Sequence, residues 1–165
     1  MTWVAGLMGS ESDWEVMRGC TEVLESLEIG FEVRVTSAHR TPQQTAEYVA
    51  DSVSRDCGAF ICGAGLAAHL AGAVAANTVR PVIGVPMGGP LAGVDALLST
   101  VQMPGGIPVA TVAIGSAGAK NAAYLAAQIL ALDNSALTQA LLEDREANLK
   151  KVQAQNASVQ RDHGR

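Results

Sequence analysis

Five times along this chain a short apolar run of strand length gives way, through a turn containing Gly, Ser or Pro, to a longer stretch with helical spacing. That alternation restricts the fold more than any other feature, because successive parallel strands need a crossover, usually a helix, and the crossover is right-handed. The expected strands are Trp3–Leu7, Phe31–Thr36, Ala59–Cys62, Pro81–Val85 and Val109–Ile114. Helices are expected from Ser12 to about Leu27, from Pro42 onward, through the small residues to about Thr78, over a short stretch ending near Val101, and from Ser116 or Ala117 to about Leu132. The pattern predicts an α/β chain with a parallel five-stranded sheet and helices on both faces. Phe31-Glu32-Val33-Arg34-Val35 alternates, which places that strand near a sheet edge. A final amphipathic helix carries Leu137, Leu141, Leu142, Leu149 and Val152, and from Gln153 the polar chain is expected to fray.

A length of 165 residues fits one domain. We assign residues 1–155 to it and 156–165 to a polar tail. Hydrophobic residues make up 48% but aromatics only 4%, so the chain is built to pack small side chains closely. Charged residues are 16%, against about 25% in an average domain, which predicts a homo-oligomer with apolar faces buried between copies. The net charge of -5 offers no field for a polyanion, so nucleic acid is excluded as a partner. The stretch Ala59–Ala76 is apolar apart from His69, yet its glycines read as strand, turn and helix rather than as a membrane span. Cys20, Cys57 and Cys62 are an odd count with no disulfide framework, and no basic segment leads into a signal-type run, so the cytoplasm is the expected compartment.

In an open parallel sheet ligands bind beyond the carboxyl ends of the strands. Three loops there carry unusual chemistry. Gly9-Ser10-Glu11-Ser12-Asp13 places hydroxyls at a helix start, where free N–H groups favour an anion such as phosphate. Asp13 would repel an anion and reads as an acceptor for sugar hydroxyls; the competing reading is plain capping by Ser10 or Ser12. Ser37-Ala38-His39-Arg40 sets an imidazole suited to proton transfer near neutrality beside a guanidinium suited to phosphate or carboxylate. It precedes Thr41, expected as the helix cap with Pro42 at the first helical position and Gln44 three residues after the cap.

The third loop, Gly63-Ala64-Gly65-Leu66-Ala67-Ala68-His69, fits G-x-G-x-x-A. It sits on the third strand and lacks the acidic residue expected roughly 20 positions on, so its glycines read as room for a small ligand rather than a dinucleotide. His69 is either part of that site or a buried, hydrogen-bonded core histidine. The histidines show no metal spacing, and Cys57 and Cys62, an odd number of residues apart, are expected on opposite faces of their strand. No Walker loop or Gly-x-Ser-x-Gly elbow occurs.

Met8-Gly9-Ser10-Glu11-Ser12-Asp13-Trp14, Ser37-Ala38-His39-Arg40-Thr41-Pro42 and Gly63–Leu70 together resemble the N5-carboxyaminoimidazole ribonucleotide mutases of bacterial purine biosynthesis. The likeness continues through Gly93-Val94-Asp95, Val101–Val109 and Ala127–Leu130. The resemblance implies a flavodoxin-like sandwich assembled as a homo-octamer, with sites at subunit interfaces. It implies transfer of a carboxyl group from the exocyclic nitrogen of a small-molecule ribonucleotide to ring carbon 4, with no metal or organic cofactor. An ATP-dependent synthetase would have to supply the substrate. By motif, His39 resembles the catalytic histidine, with His69 placed to hold the carboxylate. Ser10, Asp13 and Arg40 resemble the ribonucleotide-binding residues, with Ser12, Ser37, Ala38 and Gly65 of the same loops counted beside them. Ala64, Gly65, Ala67 and Ala68 are expected to form a dry wall that favours carbamate breakdown.

Leu66 stands where the family often has glycine, Ala71 replaces a frequent proline, and Met87-Gly88-Gly89-Pro90 replaces a polar loop. Two other readings stand beside the mutase. A second branch of the family carboxylates aminoimidazole ribonucleotide directly with carbon dioxide, but its typical Ser-Ala-His-Lys is Ser-Ala-His-Arg here. A non-catalytic nucleotide- or flavin-binding module is the alternative of another class, and the scarcity of aromatics argues against flavin.

Overall fold

The computed structural model describes residues 2–163. Its strands are β1 (Trp3–Met8), β2 (Phe31–Val35), β3 (Cys57–Ala64), β4 (Val82–Pro86) and β5 (Ala110–Thr111). They form one all-parallel sheet in the order β2-β1-β3-β4-β5, the flavodoxin-like arrangement, with the chain reversing direction across the sheet between β1 and β3. The helices are α1 (Trp14–Ser26), α2 (Pro42–Ser54), α3 (Leu70–Ala75), α4 (Val94–Val101), α5 (Ser116–Ala131) and α6 (Ser135–His163). Among the described residues no helix is long and apolar enough to cross a membrane.

Two cores flank the sheet. On one side Met17, Cys20 and Leu24 of α1 and Ala119, Ala122, Ala123, Ala126 and Ala127 of α5 pack on Val4, Met8, Ile61, Ile83 and Val85. On the other, Tyr48 and Val49 of α2, Leu70 and Val74 of α3 and Ala96 of α4 pack on Ala5, Leu7, Phe60, Cys62 and Val82. The small residues let helices sit close: a Cβ on Gly84 of β4 would overlap Thr100 Cγ2 of α4, and one on Gly19 of α1 would lie 3.3 Å from Lys120 Cε of α5. As expected, β2 is an edge strand, and Val33 and Val35 are exposed in the single chain.

Four expectations need correction. The fifth strand shrinks to two residues, Ala110–Thr111; the segment still tracks β4 through Val112 N–H to Gly84 O (3.1 Å) and Gly115 N–H to Pro86 O (2.9 Å), and then packs its Ala113 carbonyl against Gly118 of α5. Cys57 and Cys62 share one core instead of facing opposite ways. Trp3 pairs with Cys57 and Val4 with Ala59, so Gly58 is an extra residue that resets the alternation. Thr41 precedes α2 with Pro42 in its first turn, but its hydroxyl makes no cap bond and turns back to Ser37 instead. Finally, α6 runs on through the segment expected to fray, because nothing from Gln153 to His163 is Gly or Pro. The last two residues of the expected tail lie outside the described residues.

Candidate active site

Where neighbouring parallel strands send their chains to opposite faces, the loops leaving their carboxyl ends part and leave a crevice. Here β1 and β3 flank that point, and Gly9 N–H donates to Gly63 O (3.1 Å), tying the two loop bases together. The loop after β2 is anchored by hydroxyls: Ser37 N–H donates to Thr41 Oγ1 (2.9 Å), and Thr36 Oγ1 lies 2.6 Å from Thr45 Oγ1. A turn held this way presents His39 and Arg40 outward from a fixed base.

The crevice is a cavity of about 690 Å3, in the range of small-molecule sites. Its walls include Ser10, Ser12 and Asp13 after β1, Ser37, Ala38, His39 and Arg40 after β2, and Gly65 and His69 after β3. All nine residues singled out from sequence therefore face one space. Ala64 and Ala67 line it too, whereas Ala68, expected beside them, is buried in the core because the chain turns inward there into α3. The fourth wall is Met87-Gly88-Gly89-Pro90, joined to the third loop by Met87 N–H to Ala64 O at 2.9 Å.

His39 and His69, 30 residues apart in sequence, meet with Nε2 of the first 2.7 Å from Nδ1 of the second, their rings nearly perpendicular. One ring donates and the other accepts, so the facing nitrogens hold a single proton between them. Both side chains are exposed to the cavity, so His69 is not the buried core histidine that the sequence also allowed. Arg40 reaches across to donate from Nη2 to Gly9 O (2.9 Å), and its backbone N–H bonds Ser37 Oγ (3.2 Å). It also lines a neighbouring hollow of about 390 Å3 with Gly9, Ser10, Thr36 and Thr41.

Ser10 caps the 3₁₀ turn Glu11–Asp13 that leads into α1, and Asp13 Oδ2 accepts from Ser10 N–H (3.1 Å) to complete a capping box. Burial raises the Asp13 carboxyl above its ordinary value, partly offset by N–H groups of Ser10 and Gly9. Capping and lining the cavity are thus simultaneous properties of this loop. The sequence reading missed the Gly9 carbonyl as the partner of Arg40, and the Thr36, Thr41 and Thr45 hydroxyl chain. The three threonines clustered around the second loop were the available signal.

The sequence pattern of the family described as AIR carboxylase matches residues 3–151. The chain is 51% identical over 150 residues to the N5-carboxyaminoimidazole ribonucleotide mutase of Brucella melitensis, covering 90% of this chain and 93% of that one. It is 52% identical over 141 residues to the Bacillus subtilis protein of the same name, covering 85% and 87%. The crystal structure of Treponema denticola PurE superimposes with a TM-score of 0.86 at 28% identity, covering all of both chains. With a match that spans the whole sheet and all three ligand-edge loops, this chain belongs to the AIR carboxylase family.

Proposed function

We propose that this protein is an N5-carboxyaminoimidazole ribonucleotide mutase, an enzyme of purine biosynthesis that moves the substrate's carboxyl group from the exocyclic nitrogen to ring carbon 4. The observation that carries the reading is the His39–His69 contact in a cavity with hydroxyls and a guanidinium on one side and small apolar residues on the other. Arg40 takes the phosphate with its unused N–H donors, and the hydroxyls of Ser10 and Ser12 and the Asp13 carboxylate take the ribose and neighbouring polar atoms, with Ser37, Ala38 and Gly65 completing the seat.

His39, as imidazolium, protonates the exocyclic nitrogen while the bond from nitrogen to the carboxyl carbon breaks, and its electron pair stays on nitrogen. Carbon dioxide and aminoimidazole ribonucleotide are left together. Carbon 4 then attacks carbon dioxide, and neutral His39 removes the proton from that carbon, restoring the imidazolium. The same proton count enters and leaves, so no co-reactant is needed. His69 accepts from or donates to His39 throughout, holding its ring and steadying whichever protonation state it carries. The carbamate loses its charge as it breaks, and the wall of Ala64, Gly65 and Ala67 favours the neutral gas.

The assembly in this reading is a homo-octamer, and the exposed apolar surface supports burial between copies. Val94, Leu98 and Val101 of α4 are exposed, with Leu91 exposed in the turn before it, and Leu142, Leu149, Val152 and Val159 recur along the outer part of α6. These residues are buried by copies of the chain in this reading. The cytoplasm is its setting, consistent with three free thiols, and an ATP-dependent synthetase of the carbamate is its functional partner. The test is conversion of enzymatically generated N5-carboxyaminoimidazole ribonucleotide, run against aminoimidazole ribonucleotide plus bicarbonate. Rapid conversion of the first alone is expected; conversion of the second at low bicarbonate would transfer the protein to the direct carboxylases, and no conversion of either would leave a binding module.

A further inference from the structure

Leu66 combines two unfavourable features at one position. Its φ is +55°, in the left-handed region that is strained for a residue with a Cβ. Its apolar side chain is also 60% exposed on the cavity wall. Neither is repaid by packing within the chain. A residue held this way persists where its side chain has a task outside the fold's own stability.

Opposite Leu66, between Met87 and Pro90, lies a two-residue stretch with no side chains. Gly88 and Gly89 need glycine neither for their backbone angles, which are ordinary, nor for space: a Cβ on Gly88 would meet nothing within 4 Å, and one on Gly89 would meet only Leu66 Cδ2, at 3.9 Å. The two loops are joined at their base by Met87 N–H to Ala64 O (2.9 Å) and come together again where Leu66 reaches toward Gly89. Between these points the lining is Ala64, Gly65 and Met87, with no hydrogen-bonding side chain. The chain has put its bulk on one wall and left the facing stretch bare.

We propose that Leu66 is the residue that retains carbon dioxide between the two half-reactions, by closing the apolar end of the cavity against the bare Gly88-Gly89 segment. The inference rests on the mutase reading. Carbon dioxide has no charge and few hydrogen-bonding demands, so exclusion of water and a closed exit, rather than a polar grip, hold it beside carbon 4. With Gly88 and Gly89 facing it, the Leu66 side chain supplies bulk that this stretch of the opposite loop does not.

The test is a ratio measured within each variant, and so is insensitive to changes in overall rate. Substrate is converted in solution containing carbon-13 bicarbonate, and label in the product carboxylate is read by mass spectrometry, alongside release of free aminoimidazole ribonucleotide above that from substrate alone. Leu66→Gly relieves the backbone strain and so folds. We expect it to raise both label and free ribonucleotide several-fold over the wild-type chain. The double variant Leu66→Gly with Gly89→Leu returns the bulk from the facing loop and moves both readings back toward wild type. Unchanged label in Leu66→Gly, or no recovery in the double variant, overturns the proposal. A wild-type chain that converts no carbamate substrate overturns the mutase reading itself, a different result from an active wild type with an unresponsive variant.

Discussion

Arg40→Ala tests whether the phosphate seat proposed at Arg40 is separate from the reacting centre. The guanidinium has five N–H donors in a fixed fork. Nη2 spends one on Gly9 O at 2.9 Å, and Nε is at 3.4 Å from Ser37 Oγ, the outer limit of a hydrogen bond. At least three donors remain for a ligand. Hydrogen bonds to charged groups contribute about 1.5–3 kcal/mol each, but water re-solvates an abandoned phosphate, so we expect a net loss of about 2–3 kcal/mol, or about 30- to 150-fold in kcat/KM. The loss falls on KM, with kcat within a few-fold. Stability should change by less than about 1 kcal/mol, since the side chain is exposed and gives up one good hydrogen bond to a neutral acceptor. The assay is a cycle: wild type and Arg40→Ala, each with the ribonucleotide substrate and with the riboside that lacks phosphate. The wild type should discriminate strongly between the two and the variant weakly. If Arg40→Ala loses as much on the riboside as on the ribonucleotide, leaving a coupling below about 0.5 kcal/mol, Arg40 does not hold the phosphate.

Removing the proposed proton carrier should act on the chemical step alone: His39→Asn is expected to cut turnover by at least about 100-fold while ribonucleotide binding, followed by calorimetry, stays within a few-fold, and full activity would sink the mechanism. Asp13 gives a pH signature of the less common sign. Its carboxyl is raised above 3.8 in the folded chain, so the folded state holds this proton more tightly than the unfolded one. Its contribution to stability is therefore present below that ordinary value and lost as pH rises through the higher folded value. Asp13→Asn keeps an oxygen for Ser10 N–H, should remove that decline in denaturant titrations, and should be at least as stable as wild type at neutral pH while raising KM; a clear loss of neutral-pH stability would show that the carboxylate is kept for the fold.

The order and kind of the elements were legible because each strand-to-helix change in periodicity is local. What stayed hidden depends on contacts made after folding. Gly58 reads as one more small residue in an apolar run, yet a Cβ there would fall 2.4 Å from Thr2 Cγ2 and 2.5 Å from Leu130 Cδ2. Residues distant in the chain thus leave room only for glycine at the bulge that sets Cys57 and Cys62 in one core. In the site, three loops could be assigned to one edge by topology alone, because every βα loop of a parallel sheet leaves from the same side. Topology places His39 and His69 on that edge but does not set the distance between them. The 2.7 Å contact depends on the Gly9–Gly63 tie and on the hydroxyl-braced turn from Thr36 to Thr41, neither of which is encoded in a spacing.

By residue type the first loop is either a helix cap or a binding site; in the folded chain it is a cap that also lines the cavity. A carboxylate has two oxygens and about four acceptor positions. Asp13 uses Oδ2 to close the capping box while the group as a whole lines the cavity, half-withdrawn from water. A helix start is where a chain must leave N–H groups unpaired, so residues that satisfy some of those donors already stand where a ligand would use the rest. The same economy explains Ser10, whose Oγ accepts from Ser12 N–H (3.3 Å) and lies 3.0 Å from Ser12 Oγ, leaving both hydroxyls at the cavity wall. Distinguishing a cap from a site by residue type therefore fails at any βα loop on the ligand edge. At Asp13 burial opposes the carboxylate form while the N–H groups of Ser10 and Gly9 favour it, so the bonds that cap the helix also help to hold the charge at the cavity wall.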